Sequence, residues 1–263
     1  MVCVGDCRSM KQYYQDDHAT IYHGDCRELL PLLDYTVAFT SPPYNMHLRV
    51  NGKKNGYTSR GAAESSGVIS KKYGTYNDDL PMVEYYDFCD QVIGELLKKT
   101  RLLFWNVQLV TGNKPALMWL LGKYALNMKE IMIWDKQRVA PSANAHVMNS
   151  RYEFIWIMSP EDTAITRSFD GFTRKHAGLD NIISISPMGK AIAGHGATMP
   201  VQLPTQLLHH FTTDDDVIID PFMGSGSTLR AAKDLNRRSI GIEIDEKYCE
   251  VAARRLAQEV LAL

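Results

Sequence analysis

Short apolar segments alternate with helix-like segments along most of this chain. Strands are predicted at 20–22, 36–39, 101–107, 130–134, 152–158, 217–219 and 239–243, and helices at 26–33, 81–99, 115–126, 203–211, 227–235 and from 246 onward. In the helix predicted at 81–99, apolar residues recur at helical spacing. This alternation predicts an α/β fold with a mostly parallel sheet and helices on both faces. Such sheets bind ligands at the carboxyl ends of their strands, so residues that follow strands are the first candidates for a site.

Length and composition are ordinary for a globular protein. The 263 residues are enough to bury a substantial core within one domain. No run of about 18 apolar residues predicts a membrane-spanning helix. Charged residues such as Asp6 and Arg8 interrupt the N-terminal segment, which is unlike a signal peptide. The five scattered cysteines form neither a disulfide framework nor a metal-binding pair, so the reducing cytoplasm is predicted.

The segment Thr40-Ser41-Pro42-Pro43-Tyr44-Asn45 directly follows the apolar run at 37–39. Each proline fixes its own φ and lacks an N–H, and each restricts the residue before it to extended conformations. The result is a stiff bend with fixed carbonyl acceptors beside an aromatic ring. This arrangement suits a planar group that carries an exocyclic amine. The alternative is a surface loop or a linear ligand of a proline-binding module.

A second motif follows the strand predicted at 217–219. The run Asp220-Pro221-Phe222-Met223-Gly224-Ser225-Gly226 leads into the helix predicted at 227–235, and glycine lets the backbone approach a ligand closely. The third glycine of the dinucleotide fingerprint is missing. However, the next strand ends in Glu243, about twenty residues on, where Rossmann-like sites place a carboxylate that binds ribose hydroxyls. The alternative is an ordinary α/β turn with a solvated glutamate.

Basic residues are concentrated between these motifs. The segment 46–78 holds Arg49, Lys53, Lys54, Arg60, Lys71 and Lys72 among several glycines. The net charge of −1 does not exclude a nucleic-acid ligand, because phosphate contact depends on a local patch. We therefore interpret 46–78 as a mobile basic loop that runs along a nucleic-acid strand and contacts its phosphates. A solvated loop without that role is the alternative.

Taken together, these motifs resemble those of the S-adenosylmethionine-dependent amino-methyltransferases of DNA, in the circularly permuted arrangement called the beta class. The bend at 40–44 resembles the catalytic motif of that family, and 220–226 resembles its cofactor loop, here on the C-terminal side of the catalytic motif. The segments 23–26, 195–200, 134–136 and 151–154 resemble further family landmarks. The similarity covers most of the chain.

The resemblance implies a Rossmann-like, circularly permuted sheet of seven strands, of which the seventh is antiparallel. It implies one methyltransferase domain over 1–263, with a catalytic part at 20–158, a cofactor-binding part at 195–263 and a small target-recognition insertion at 160–194. Implied catalytic residues are Ser41, Pro42, Pro43 and Tyr44. Implied S-adenosylmethionine-binding residues are Asp25, Thr40, Met199, Pro200, Asp220, Pro221, Phe222, Gly224, Ser225, Gly226, Thr228 and Glu243. Lys136 and Arg151 are expected to meet DNA phosphates, in addition to the six basic residues of 46–78, and no metal is implied.

Within this family Ser41 resembles the enzymes that methylate cytosine at N4, whereas many relatives that methylate adenine at N6 carry aspartate there. Cytosine N4 is therefore favoured and adenine N6 stays open. The same chemistry on RNA or on a protein amide is a second alternative, and a non-enzymatic nucleotide-binding module is a third. The implied partner is double-stranded DNA, reached by flipping the base, in a cytoplasmic bacterial, archaeal or phage-encoded enzyme. A cognate restriction endonuclease and a homodimer are left open.

Overall fold

The computed structural model describes residues 11–46, 79–137, 146, 148–164, 166, 168–169, 179–187 and 199–258. The basic residues predicted to contact DNA, from Arg49 to Lys72, lie outside the described residues. So does about half of the predicted recognition insertion at 160–194. Within the described part of the chain, no helix is long and apolar enough to cross a membrane.

Strands and helices alternate as the sequence predicts. The strands are β1 (Gln12–Gln15), β2 (Ala19–His23), β3 (Val37–Thr40), β4 (Leu102–Val107), β5 (Met128–Asp135), β6 (Tyr152–Met158), β7 (Ile182–Ser184), β8 (Val217–Asp220) and β9 (Arg238–Glu243). The helices are α1 (Cys26–Leu29), α2 (Met82–Leu97), α3 (Lys114–Lys123), α4 (Glu161–Ala164), α5 (Gln202–Phe211), α6 (Ser227–Asp234) and α7 (Glu246–Leu256). Short 3-10 turns follow α1 and α3 at Leu30–Leu32 and Ala125–Asn127.

The described strands form one sheet in the order β1-β2-β9-β8-β3-β4-β6-β5-β7. Strand β6 is antiparallel to both neighbours, and β1 is antiparallel to β2, whereas all other pairs are parallel. The seven inner strands match the predicted seven, including the single antiparallel one. The two edge strands, β1 and β7, were not predicted. Strand β7 lies inside the predicted recognition insertion, so that part of the insertion belongs to the sheet.

Helices cover both faces of the sheet, as predicted. Alternate residues of β3 point to opposite faces: Ala38 packs in the cluster with α1, α2 and α3, whereas Val37 and Phe39 pack in the cluster with α5 and α6. Helix α7 closes the sheet near β2 through a smaller cluster that includes Ile21 and Leu256. Strands β3 and β4 are buried along their whole length, which explains why they appear in the sequence as continuous apolar runs.

The strand order brings distant segments together at one edge. Residues of β3 pair with β8 in the register Val37↔Ile218, so the carboxyl ends of both strands lie side by side. Strand β6 runs the other way and pairs with β4 in the register Val107↔Phe154. Its amino end therefore reaches the edge at which the parallel strands end.

Candidate active site

A cavity of about 500 Å³ lies at the carboxyl edge of the sheet. One side is lined by four residues of the proline bend, Ser41, Pro42, Pro43 and Tyr44. The other side is lined by 220–225 and by Glu243. The structure thus brings into one cavity two motifs that are nearly 180 residues apart in sequence.

The proline bend is held from behind by side chains of other segments. Tyr85 donates its hydroxyl to the Pro43 carbonyl at 2.8 Å, and Asn113 donates its side-chain amide to the Tyr44 carbonyl at 2.8 Å. Asn45, with φ of 52°, turns the chain away and bonds to Leu80. These two carbonyls are therefore engaged within the protein. The sequence predicted that the carbonyls of the bend point outward as acceptors for a ligand, and for the Pro43 and Tyr44 carbonyls this prediction is wrong.

The loop 220–226 turns sharply between β8 and α6. Gly224 has φ of 52° and Gly226 has φ of 77°, conformations that L residues adopt at a cost. The Gly224 N–H donates to Glu243 Oε2 at 2.9 Å, and the Asp245 N–H donates to Glu243 Oε1 at 2.9 Å. Burial raises the pKa of the Glu243 carboxyl to about 7, although these backbone donors oppose the rise. The loop and the end of β9 are therefore fixed to each other through this carboxyl.

Asp25 lies beside Glu243, because β2 and β9 pair in the register His23↔Glu243 and Asp25 follows β2. Its carboxylate caps α1 by accepting from the Arg27 N–H at 2.9 Å. Hydrogen bonds from Arg27 lower the pKa of Asp25, so it is a carboxylate at neutral pH. Asp25 and Glu243 thus both present carboxyl groups at this end of the cavity.

Phe222 lines the cavity and also packs against neighbouring rings. Its ring centroid lies 5.6 Å from that of Phe88 and 6.2 Å from that of Trp105. One side chain thus serves both as a cavity wall and as a packing residue.

At the other end of the cavity, polar side chains form one connected network. The Tyr44 hydroxyl lies 3.0 Å from Ser41 Oγ and donates to Glu153 Oε2 at 2.7 Å. Asn106 donates to Glu153 Oε2 at 2.8 Å and to the Tyr44 hydroxyl at 3.1 Å. Lys136 Nζ lies 2.7 Å from Glu153 Oε1. The network joins the proline bend to the ends of β4, β5 and β6.

The structure does not place Lys136 where the phosphate prediction requires it. Its side chain is largely buried within the cavity wall, paired with Glu153 and donating to Gln108 at 3.1 Å. Arg151 is largely exposed and pairs with Asp135 at 2.6 Å. Its contact with phosphate stays a prediction.

Four residues expected to touch the cofactor do not line the cavity: Thr40, Pro200, Gly226 and Thr228. Thr40 and Thr228 are fully buried. Gly226 instead faces α7, where an added Cβ would lie 2.9 Å from Ala252 Cβ. The remaining predicted cofactor residues do line it, including Met199 and Ser225. A motif is contiguous in sequence, but neighbouring side chains point in different directions, so only part of it faces the ligand space.

Sequence reasoning missed several cavity residues, notably Phe88, Asn106, Glu153 and Tyr248. Two of them carry a detectable signal. Asn106 interrupts the apolar strand β4, and Glu153 is an acidic residue within the apolar strand β6. Buried polar residues in otherwise apolar strands indicate a structural or functional demand.

Residues 35–254, most of the chain, match the family described as DNA methylase (N6_N4_Mtase). This chain therefore belongs to the N6_N4_Mtase family of DNA methylases. The resemblance to the amino-methyltransferases of DNA is confirmed, and with it an enzyme that methylates DNA.

Similar proteins span nearly the whole chain. The type II methyltransferase M.HinfI of Haemophilus influenzae is 29% identical, over 95% of this chain and 71% of that protein. M.ScaI of Streptomyces caespitosus is 26% identical, over 96% and 86%. Among solved structures, the PvuII DNA methyltransferase (cytosine-N4-specific) has a TM-score of 0.68 at 17% identity, over 97% of this chain and 92% of that one. TTHA0409 of Thermus thermophilus, complexed with S-adenosyl-L-methionine, has a TM-score of 0.60 at 21% identity, over 92% and 95%. These structures share the Rossmann-like fold.

Proposed function

We propose that this DNA methyltransferase transfers a methyl group from S-adenosylmethionine to the exocyclic N4 of a cytosine flipped out of duplex DNA. The observation that carries the proposal is the shared cavity, with Ser41 and Tyr44 on one side and Gly224 and Glu243 on the other. One half suits a nucleoside cofactor and the other suits a planar base that carries an amine.

The cofactor half fits a nucleoside with a charged tail. Glu243 and Asp25 offer acceptor oxygens to ribose hydroxyls and to an adenine amine, respectively. Gly224 leaves backbone rather than side chain at the wall, and Phe222 supplies an apolar face. The volume of about 500 Å³ lies within the usual range of cofactor sites. When bound, S-adenosylmethionine supplies a methyl group on a positively charged sulfur.

The acceptor half positions the amine. The Ser41 hydroxyl and the Pro42 carbonyl accept its N–H bonds, which points the nitrogen lone pair at the methyl group and stabilises the positive charge that develops on nitrogen. The Tyr44 ring stacks on the base, which offsets about 1–3 kcal/mol of the cost of flipping it out. The hydroxyl bonds of Tyr44 to Ser41 and Glu153 fix the ring in place before the base arrives.

Cytosine is favoured over adenine for two reasons. Ser41 stands where many adenine-specific relatives carry aspartate, as the resemblance implies. The structural neighbour with a TM-score of 0.68 is cytosine-N4-specific. Adenine N6 is the second candidate, because its amine presents the same planar geometry to Ser41.

DNA binding is assigned to Arg151 and to the basic residues of 46–78, which continue the chain directly after the proline bend. The segment 160–194 is assigned to target recognition, between a catalytic part at 20–158 and a cofactor-binding part at 195–263. The relatives carry type II restriction–modification names, which suggests a cognate endonuclease and a cytoplasmic bacterial enzyme. A homodimer stays open.

The test is mass spectrometry of nucleosides from duplex DNA incubated with the enzyme and S-adenosylmethionine, with RNA and peptide as parallel substrates. N4-methylcytosine in DNA is expected. N6-methyladenine would overturn the base assignment, and transfer only to RNA or peptide would overturn the substrate.

A matched pair of variants tests the assigned site. Tyr44→Ala should lose transfer while retaining cofactor binding, measured by calorimetry. Tyr86→Ala, on α2 and in contact with Trp119, is the control. Equal transfer by Tyr44→Ala and wild type would reject the role of Tyr44.

A further inference from the structure

The Tyr44 hydroxyl connects Ser41 to a buried carboxylate. It lies 3.0 Å from Ser41 Oγ on one side and 2.7 Å from Glu153 Oε2 on the other. Both distances are those of hydrogen bonds between oxygen atoms, and together they form a continuous path of three oxygen groups. The path begins at the hydroxyl proposed to hold the amine and ends at Glu153, a residue that is 6% exposed.

Glu153 is surrounded by groups that fix its carboxylate. Lys136 Nζ contacts Oε1 at 2.7 Å, and Asn106 Nδ2 contacts Oε2 at 2.8 Å. Gln108 accepts from Lys136 and so holds the ammonium in place. The charged or titratable groups that face Glu153 are thus Lys136 from the end of β5 and Tyr44 from the proline bend. Buried ion pairs are costly and add little to stability, so this one calls for a functional reason.

Methylation of an aromatic amine creates a need for a proton acceptor. The neutral amine delocalises its lone pair into the ring, and the methylated nitrogen can recover this conjugation only by losing a proton. The product of methyl transfer is therefore a strong acid until that proton leaves. An acceptor within hydrogen-bond reach of the nitrogen, directly or through a relay, assists such a step.

We propose that Glu153 is the terminal acceptor of this proton, reached through Ser41 and Tyr44; the inference rests on the proposed amine methylation. The nitrogen forms a bond to the methyl carbon as the carbon–sulfur bond breaks, and that electron pair stays on sulfur. The methylated nitrogen then gives a proton to Ser41 Oγ, Ser41 gives its own to the Tyr44 oxygen, and Tyr44 gives its own to Glu153. Both hydroxyls are restored, the product amine is neutral, and Glu153 is a carboxylic acid that later releases the proton to solvent.

The neighbours of the relay have distinct tasks. Asn106 donates to both Glu153 and the Tyr44 hydroxyl, which keeps the two oxygens at relay distance. Lys136 balances the charge of the carboxylate before the reaction. Glu153 does not touch the amine itself. It acts through Tyr44 and Ser41, and it receives the proton from Tyr44. The Tyr44 hydroxyl thereby acquires a role separate from the stacking of its ring.

Two conservative variants test the relay. Glu153→Gln keeps the shape of the side chain but removes the acceptor charge, and Tyr44→Phe keeps the stacking ring but breaks the path. Each is expected to lower kcat about 100-fold, the lower end of what proton transfer contributes, with KM for cofactor and DNA within about twofold of wild type. The double variant should be no slower than either single variant, because both remove the same path.

A pH profile separates proton acceptance from structural support. The acid limb of the wild-type kcat profile should disappear in Glu153→Gln. Asp90→Asn is the matched control, because Asp90 also binds a tyrosine hydroxyl, that of Tyr124 at 2.8 Å, and a lysine, Lys123, away from the cavity. It should leave kcat and its pH profile unchanged.

Three results would overturn the relay: kcat of Glu153→Gln or Tyr44→Phe within about threefold of wild type, an acid limb that persists in Glu153→Gln, or multiplicative losses in the double variant. If Glu153→Gln does not fold, Tyr44→Phe alone still decides, since it leaves the Lys136 and Asn106 bonds to Glu153 intact. Failure of the wild-type enzyme to methylate DNA amines would instead reject the proposed function.

Discussion

Thr40 Oγ1 donates a hydrogen bond to Asp220 Oδ1 at 2.7 Å across 180 residues of sequence, and both side chains are buried. The bond joins the start of the proline bend to the start of the cofactor loop. The same arrangement recurs at the other end of the two strands, where Thr36 Oγ1 donates to Asp216 Oδ1 at 2.7 Å. A threonine–aspartate hydrogen bond thus joins β3 and β8 at each end of the pair, and the Thr40–Asp220 bond lies next to the cavity.

The first prediction concerns the Thr40–Asp220 hydrogen bond beside the cavity. Thr40→Val leaves the Asp220 carboxyl without this donor, while Phe222 N–H still donates to it at 3.1 Å. Removing one partner from a buried polar group costs about 1–3 kcal/mol, which urea unfolding should show. Affinity for S-adenosylmethionine, measured by calorimetry, should fall as well, because Asp220 begins the loop that lines the cavity.

Thr36→Val is the matched control for this experiment. Asp216 retains its bonds to Arg101 and to the Thr213 N–H, so a comparable or smaller loss of stability is expected. Cofactor affinity should not change. Equal cofactor affinity in both variants would contradict a link from Thr40 to the cavity.

The second prediction concerns Gly226. Gly226→Ala would force an alanine into a left-handed conformation with φ of 77° and place its Cβ 2.9 Å from Ala252 Cβ. The left-handed conformation alone costs about 1–2 kcal/mol, and the contact adds to it, so the melting temperature should fall. Gly122→Ala is the control: an added Cβ there meets no atom within 4 Å, and alanine favours α3 by up to about 1 kcal/mol. A Gly226→Ala protein as stable as wild type would refute the packing argument.

The third prediction is that cofactor affinity depends on pH through Glu243. Burial raises its pKa to about 7, so the ligand-free protein holds this group protonated below that pH and ionised above it. Ribose hydroxyls bind better to the ionised acceptor, so affinity should rise about tenfold between about pH 6 and about pH 8. Glu243→Gln should flatten this dependence in calorimetric titrations with S-adenosylmethionine.

The stability of the ligand-free protein depends on pH in the opposite direction to cofactor affinity. A carboxyl whose folded-state pKa lies above its ordinary value favours the folded state at low pH, and this contribution is lost as pH rises through about 7. Urea unfolding of the ligand-free protein should therefore show Glu243→Gln gaining stability relative to wild type as pH rises from about 4.5 to about 7. A stability difference that stays constant between these two pH values would contradict the buried-carboxyl argument.

The fourth prediction concerns Arg255 of α7, which holds the cofactor loop from outside the cavity. Its guanidinium donates to the Ser225 carbonyl at 3.0 Å and to Ser227 Oγ at 2.9 Å. Burial lowers the pKa of Arg255, which marks it as a desolvated cation. Arg255→Met should weaken cofactor binding and raise KM for S-adenosylmethionine more than it lowers kcat, because the loop loses its support.

The neighbouring Arg254 provides the control, since it is exposed and pairs with Glu250 one turn away on the same helix. Arg254→Met should leave KM unchanged. If both variants bind the cofactor like wild type, then Arg255 does not set the conformation of the loop.

The inner strands of the sheet and most helices could be predicted from sequence because each is a local pattern. Strand β4 is apolar throughout, and α2 shows apolar residues at helical spacing. The edge strands β1 and β7 could not be predicted, since four and three residues are too few to show a pattern and their pairing depends on β2 and β5. The two motifs at 40–45 and 220–226 were found because prolines and glycines act locally on the backbone.

Glu153 is marked by no proline or glycine motif, and its one local signal is an acidic side chain within an apolar strand. The rule that sites lie at the carboxyl ends of strands holds for parallel strands, whereas Glu153 is the second residue of the antiparallel strand β6. Its neighbours in the site, Asn106 and Lys136, follow from the order β4-β6-β5, which is a long-range property of the sheet. Likewise, Thr40 belongs to the catalytic motif by sequence, but its side chain faces the core because side-chain direction alternates along a strand. Gly226 belongs to the second motif, but its backbone packs against Ala252 of α7.

The pairing of β3 with β8, and of β2 with β9, also governs how the molecule assembles. Val37 finds its partner Ile218, and Ala19 its partner Ser239, only after about two hundred intervening residues have been synthesised. Until then the edge of β3 that pairs with β8 has no partner, and the side of the cavity formed by 220–225 and Glu243 is missing. A nascent chain on the ribosome is therefore inactive until residues 217–243 emerge. Because the closure of such long loops comes late and has an entropic cost, the exposed strands need protection from aggregation until then.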